Sequence, residues 1–437
     1  MKSNLNALIE FRYGIYQSFK QARDALFNLV DALASEDRAQ SLPELSLSPF
    51  FERKWSSTYE ALEDGIIDTQ ALQRVFIAHL PQRSSVPLIA VDSTSIARPK
   101  ARTSEDRSAQ YVHNLPGSVK PVTYGWQFST VVALPEKPSG WTYMLDQRRV
   151  STATTALQVA ASQLSEIAGQ LPKETIALLD RGYDSAWLWC QLSLLPLQGS
   201  LVRLKSNRCF YRPAPAPTGK RGAPRKRGDK LQPNDPASQF DPSGEAEALD
   251  PAGKLVRVRF WKQLRLKDAD WLTLTVIRVE RPQAADTKRD PRISWFVWIG
   301  DDHADLVMVA LSYVHRFSLE HGYRFDQQSL FWGDIRVRTP GQFERWSWLV
   351  AIAHNLLVLS REIAGTSLRP WESRHRDPSL QQVRRGMNKL LPLLGTPARP
   401  PQPRGKSPGR AKGVKIGQAK RFRVVRQAPK MPPLVPM

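Results

Sequence analysis

Residues 87–92 read PLIAVD, four apolar residues that follow a proline and end on an acid. A short continuous apolar run bounded by a turn residue is the pattern of a strand buried on both faces. Thr175–Asp180, TIALLD, repeats that pattern and again ends on an acid. Between the two lie strand-like, aromatic stretches at Tyr124–Leu134 and Trp141–Leu145. A helical stretch at Ser151–Gln170 follows, with Thr154, Leu157, Ala161, Leu164 and Ala168 on one side. Strands, a helix and a further strand, with acids at strand ends, predict an α/β core.

Upstream, Asn4 to about Leu80 is helical in period, with Leu8, Ile9, Tyr13, Phe19, Ala22, Leu26 and Leu29 mostly three or four residues apart. Residues 1–84 are therefore read as a helical N-terminal domain. It is a candidate reader of DNA ends, although its periodicity fits plain packing equally well. Downstream, the core's first part, 85–200, gives way to PAPAPTGKRGAPRKRGDK at 213–230, too rich in Pro and Gly for a regular element. Arg203–Lys230 holds ten basic residues against one acid, Asp229. A polar linker is expected to about Gly253, and strand patterns resume at Leu255–Leu266, Trp271–Glu280 and Ile293–Ile299. Residues 201–300 thus read as a mainly β insertion entered through a basic loop. A helical second part of the core, 301–395, follows, with an apolar helix at Gln342–Glu362. Residues 396–437 carry eleven Lys or Arg, no acid and many prolines, which predicts a disordered basic tail.

The whole chain of 437 residues has 63 Lys plus Arg against 41 Asp plus Glu, a formal charge of +22. A surplus of that size steers polyanions and predicts a nucleic-acid partner. Thirteen tryptophans and a 41% hydrophobic share indicate a folded protein rather than a coating peptide. The two cysteines, Cys190 and Cys209, form neither a disulfide framework nor a zinc cluster, which fits a reducing compartment. The first residues lack the apolar core of a signal peptide, and no run of eighteen apolar residues occurs. The expectation is a cytoplasmic, nucleoid-associated protein that does not enter a membrane.

Carboxylates on rigid elements are hard oxygen ligands suited to Mg²⁺, or Mn²⁺ in its place, and phosphodiester chemistry commonly uses such ions. Asp92 and Asp180 are two candidates. A third is Glu320, in Ser312–Trp332, SYVHRFSLEHGYRFDQQSLFW. If that stretch is helical, with Gly322 a candidate break, then Tyr313, Arg316, Glu320 and Gln327 fall along one face. Each acid also has a plain structural reading. Asp92-Ser93-Thr94 suits an N-cap, Asp180-Arg181-Gly182 a turn, and Glu320 a surface salt bridge. Asp184 competes with Asp180, and Asp334 competes weakly with Glu320. No HExxH, paired CxxC, Walker loop or GxGxxG occurs. A GxSxG match at Gly405–Gly409 lacks the strand-to-helix context of a nucleophile elbow.

The order Asp92, Asp180, Glu320, with VDSTSI around the first acid and LLDRGYDS around the second, resembles the DDE transposases of bacterial insertion sequences. Tyr313-x2-Arg316-x3-Glu320 is similar to the Y-(2)-R-(3)-E-(6)-K motif of one branch, with Gln327 in the place of its lysine. Arg324 lies one turn earlier on nearly the same face and can supply the missing charge.

The resemblance covers about residues 85–360. It implies an RNase H-like core whose Asp92, Asp180 and Glu320 hold Mg²⁺ and cut DNA at the ends of a mobile element, joining them to a target. By position, Tyr313 and Arg316 hold phosphates of double-stranded DNA at the terminal inverted repeats, and a homodimer on DNA is expected. Gln327 then offers a neutral hydrogen bond without the charge-assisted part. Further DNA contacts are expected from Lys220, Arg221, Arg225, Lys226 and Arg227. Of Trp295 and Trp298, three apart on a strand, one need not be buried, and Trp298 is taken as a base-stacking candidate. Two alternatives remain at this point: a decayed transposase that only binds DNA, and another metal-dependent nuclease on a similar core.

Overall fold

The computed structural model describes residues 2–434 except 112–121, 217–222, 288–289, 366–367, 374, 403–408, 410, 415–416 and 427–428. Lys220, Arg221 and most of the Gly405–Gly409 match lie outside the described residues.

The chain begins with α1 (Lys2–Ser18), β1 (Phe19–Gln21), α2 (Arg23–Ser35), α3 (Leu42–Leu45), α4 (Ser56–Asp64), β2 (Ile66–Ile67) and α5 (Thr69–Ala78). This is the expected helical N-terminal region, with a minimal β1–β2 ribbon between its helices. Helix α2 is buried continuously from Leu26 to Ser35. Its polar Asn28 and Asp31 are buried with the rest, and α2 is enclosed by helices from the far end of the chain as well as by α4. Arg384, itself buried, donates to the carbonyls of Leu33, Glu36 and Ser329 at 3.0, 2.6 and 2.6 Å. It thereby satisfies carbonyls at the C-terminus of α2.

The core follows as β3 (Leu88–Ala97), β4 (Ser108–Tyr111), β5 (Val122–Ala133), β6 (Tyr143–Val150), α6 (Ala156–Ala168), β7 (Ile176–Leu179), α7 (Ala186–Leu192) and β8 (Gly199–Arg203). Its spatial order is β6-β5-β3-β7-β8. Strand β5 is antiparallel to both β3 and β6, while β7 runs parallel to β3 and β8 parallel to β7. This is the mixed sheet of an RNase H-like core. Thr155 and Gln158 form a reciprocal capping box that starts α6.

The insertion comprises a small ribbon, β9 (Phe210–Tyr211) with β10 (Lys230–Leu231), then β11 (Gly244–Leu249), β12 (Leu255–Leu264), β13 (Leu274–Glu280) and β14 (Ile293–Gly300). It is not a separate body. Strand β14 pairs antiparallel with β8, so β11 to β14 extend the core sheet to ten strands. Strand β11 lies where a polar linker was expected. Its alternate residues are only half-buried, and Glu245 and Glu247 pair across the edge with Arg259 and Arg257 at 3.0 and 2.6 Å. A strand without an apolar face leaves no hydrophobic alternation to read.

The last helices are α8 (Leu306–Ser312), α9 (Phe317–Gln328), α10 (Pro340–Leu359) and α11 (Leu380–Leu394). A single 3₁₀ turn, Tyr313–Arg316, joins α8 to α9. Gly322 does not break α9. A Cβ there would meet Thr142 Oγ1 at 2.4 Å, so the glycine lets α9 approach the start of β6. Helix α10 is buried along most of its length and packs between β6 and α2.

The described residues of the tail form no regular element, but some of them are seated on the rest of the chain. Val425 forms a parallel bridge with Ser108 of β4, and Arg399 N donates to Asp24 Oδ1 at 3.0 Å. Charge and proline content predict a solvated chain, but backbone pairing at a strand edge does not depend on either.

Candidate active site

Strand β3 brings Asp92 to the middle of the sheet. The strand does not end at Asp92, as the apolar run suggests, but continues through Ser93–Ala97, paired residue by residue with β5. The parallel register opposes Val91 to Leu179, so Asp180, the next residue after β7, arrives beside Asp92. Neighbouring strands lie about 4.8 Å apart, close enough for two carboxylates to share one cation. Asp180 also caps the turn that follows, accepting from Gly182 N at 2.7 Å. The turn expected at Asp180 is thus present, and it does not take the carboxylate away from Asp92. Glu320 enters from the first turn of α9.

Arg316 stands among the three acids. Its Nη2 lies 2.7 Å from Asp92 Oδ2 and 3.6 Å from Asp180 Oδ2, and its Nη1 lies 3.7 Å from Glu320 Oε1. The Arg316 side chain is 7% exposed, against 20% for Asp92, 36% for Asp180 and 55% for Glu320. The carboxylates thus open outward from a buried cation. Burial pushes the Asp92 carboxyl up to about 6, against the lowering effect of Arg316 and with a further push from Asp180. Burial works against the Arg316 charge, but its carboxylate neighbours hold it ionised well above the usual arginine range.

Among the other expected site residues, Gln327 Nε2 donates to Thr94 Oγ1 at 3.3 Å, two residues beyond Asp92 on β3. Tyr313 is near the acids, but its ring is buried against Phe296, centroids 4.6 Å apart. Burial pushes its hydroxyl up to about 12. Arg225 and Lys226 are exposed and Arg227 half-buried, all just before β10, with Arg227 Nη2 donating to Lys267 O at 3.3 Å.

The candidate base-stacking residue is corrected. Trp298 is 1% exposed, and its Nε1 donates to Asp301 O at 3.0 Å. Trp295 is buried too, stacked on Trp261 at 5.4 Å. Both faces of β14 are covered, so neither indole is presented outward. The competing acids also resolve. Asp184 is buried, accepting from Arg208 Nε at 2.8 Å and Lys205 N at 2.7 Å, while Asp334 is exposed in the turn after α9.

One contributor is absent from the sequence reading. Tyr323 OH donates to the backbone carbonyl of Asp92 at 3.0 Å and so ties α9 to β3. Its signal was its place three residues after Glu320, on the same helical face.

The donor set consists only of carboxylate oxygens, the chemistry that suits Mg²⁺ and Mn²⁺. All three converge on one point, and Arg316 holds that point. Among the described residues no group of three His, Cys, Asp or Glu is arranged as a metal site. The three carboxylates are of the kind that suits a divalent cation, but they are gathered around the Arg316 guanidinium rather than spaced to hold one.

A family model of the DDE superfamily endonucleases matches residues 14–265, more than half of the chain. The chain belongs to that family. The match spans Asp92 and Asp180 and ends before Glu320, so the third acid rests on the geometry above. No curated protein matches the chain. A DDE superfamily endonuclease acts on DNA, in keeping with the +22 charge. Among the described residues no helix is long and apolar enough to cross a membrane.

Proposed function

We propose that this DDE endonuclease is the transposase of a bacterial insertion sequence, cutting DNA at the element's ends and joining the freed ends to a target. The observation that carries the reading is the convergence of Asp92, Asp180 and Glu320 on one guanidinium. Asp92, Asp180 and Glu320 would hold Mg²⁺, with Mn²⁺ as a substitute. When bound, such ions activate an attacking oxygen and stabilise the leaving one. The protein's own part is positioning. The rigid pairing of β3 with β7 fixes the two aspartates side by side, and Tyr323 fixes the helix that carries Glu320. Arg316, once released from the carboxylates, would offer up to five donors to a phosphate of the bound strand. No nucleophilic side chain is required, since water and then a 3′-hydroxyl attack.

Cutting two ends and joining them to one target favours a homodimer on DNA, acting in the cytoplasm at the nucleoid. A second reading, a decayed transposase that binds without cutting, is favoured by Gln327, which lacks the motif's positive charge.

The test is cleavage of a supercoiled plasmid carrying the DNA that flanks the gene, with Mg²⁺ or EDTA, by wild type and Asp92→Ala. Cuts at the repeat ends that need Mg²⁺, vanish in the variant and go on to strand joining support the transposase. Cuts without joining support another metal-dependent nuclease. Equal binding by both proteins without cutting supports the decayed form.

A further inference from the structure

We propose that Lys420–Arg426, KRFRVVR, is a strand-seated strip that holds the DNA backbone beside the catalytic acids, an inference that rests on the endonuclease reading. The segment is fastened through its backbone. Phe422 N donates to Arg102 O at 2.9 Å, Val425 N to Arg107 O at 2.9 Å, and Ala109 N to Val425 O at 3.0 Å. Arg107, buried, completes the seat by donating from Nη2 to Phe422 O at 3.3 Å. The edge of β4 is thus covered by the chain's own tail.

With the backbone and Phe422 engaged, the charges are left outside. Lys420, Arg421, Arg423 and Arg426 are all exposed, whereas Phe422 and Val424 are half-buried, as the two-residue period of an extended chain requires. Among the described residues no carboxylate pairs with any of the four. Lys100 and Arg102, in the loop from β3 to β4, add exposed cations along the same edge.

The location selects the partner. Ser108 of β4 pairs with Gly125 of β5, and Gly125 pairs with Ala97, the last residue of the strand that carries Asp92. The strip therefore lies five strand residues along β3 from Asp92, roughly 17 Å, and three strand spacings across the sheet, roughly 14 Å, or about 22 Å in all. That is about two-thirds of a turn of B-form DNA. A duplex cut at Asp92 would pass the strip within one helical turn, where Arg421, Arg423, Arg426 and Lys420, whose ammonium lies over the Phe422 ring at 5.1 Å, would meet its phosphates.

The test uses full-length protein and a duplex of fixed sequence, with affinity followed by fluorescence anisotropy across a salt series and cleavage of the same duplex followed with Mg²⁺. Lys420→Gln, Arg421→Gln, Arg423→Gln and Arg426→Gln combined should weaken binding and flatten the salt slope by roughly 2–4 units, near one for each lost phosphate contact. Thermal melting should stay near that of wild type. Val425→Pro keeps all four charges but removes the amide that seats the strand, and it should also weaken binding. Unchanged affinity and slope in the fourfold variant would overturn the strip, as would wild-type binding by Val425→Pro. If wild type cuts DNA while either result holds, only this inference falls. If wild type neither binds nor cuts, the endonuclease reading falls with it.

Discussion

The Arg316 guanidinium lies 2.7 Å from the Asp92 carboxylate, at the point where Asp180 and Glu320 also converge. One buried positive charge neutralises the three carboxylates. If, as proposed, they hold a divalent cation, the two would compete for the same oxygens. Arg316→Gln should cost the metal-free protein about 3–5 kcal/mol, as breaking a buried ion pair does. It should also increase the rise in melting temperature on adding Mg²⁺ in place of EDTA beyond that of wild type. An equal rise in both proteins would show that guanidinium and cation do not share the site.

Burial pushes the Asp92 carboxyl up to about 6 in the folded protein, above the 3.8 of an ordinary aspartate. Between these values the folded state keeps a proton that the unfolded state has released. Stability of the metal-free protein should therefore fall as pH rises from about 4 to 6 and level off above, a loss of about 3 kcal/mol for two units. Asp92→Asn has no such proton. Urea midpoints of the two metal-free proteins between pH 4 and 7 should diverge in favour of the variant as pH rises, and a constant gap contradicts the shift. Mg²⁺-dependent cleavage by wild type should decline below about pH 6, where proton and cation compete.

Asp92 and Asp180 are legible in the sequence because a strand buried on both faces reads as a continuous apolar run, and an acid after it stands out. The continuation of β3 is not, because Ser93, Thr94 and Ser95 are polar and owe their strand conformation to pairing with β5. The spacing of Arg316 and Glu320 puts them one turn apart, but the turn of Arg316 inward depends on where β3 and β7 lie. Partners distant in sequence are also hidden, as when β14 joins β8 or Val425 joins Ser108. Backbone pairing leaves no trace in composition, so the seat of Val425 on β4 could not be read there.

Trp298 tests the distinction between an aromatic that packs and one that stacks on a base. Its ring lies directly over the backbone of Gly199, where even a Cβ would come within 2.4 Å of it. Trp298→Ala should destabilise the fold by about 3–5 kcal/mol through the cavity it leaves between β14 and β8. Affinity of the folded protein for single-stranded and duplex DNA should be unchanged at low temperature. A selective loss of single-strand binding with the melting temperature intact would restore the stacking role.

Gln327 is where the chain departs from the motif it otherwise resembles, and its surroundings say what a lysine would change. The amide makes one neutral hydrogen bond to Thr94 and is half-buried, so Gln327→Lys should alter stability by no more than about 1 kcal/mol. If position 327 faces a phosphate, the added charge should steepen the salt dependence of DNA binding by about 0.9 and raise affinity at low salt. Arg324 is exposed one turn earlier on α9. If it already supplies the charge, Arg324→Gln alone should flatten the slope by the same amount, and adding Gln327→Lys should restore it. Measuring the slope for the two single variants and the double separates a missing phosphate contact from a relocated one. No response to any of them would place this face of α9 away from the DNA.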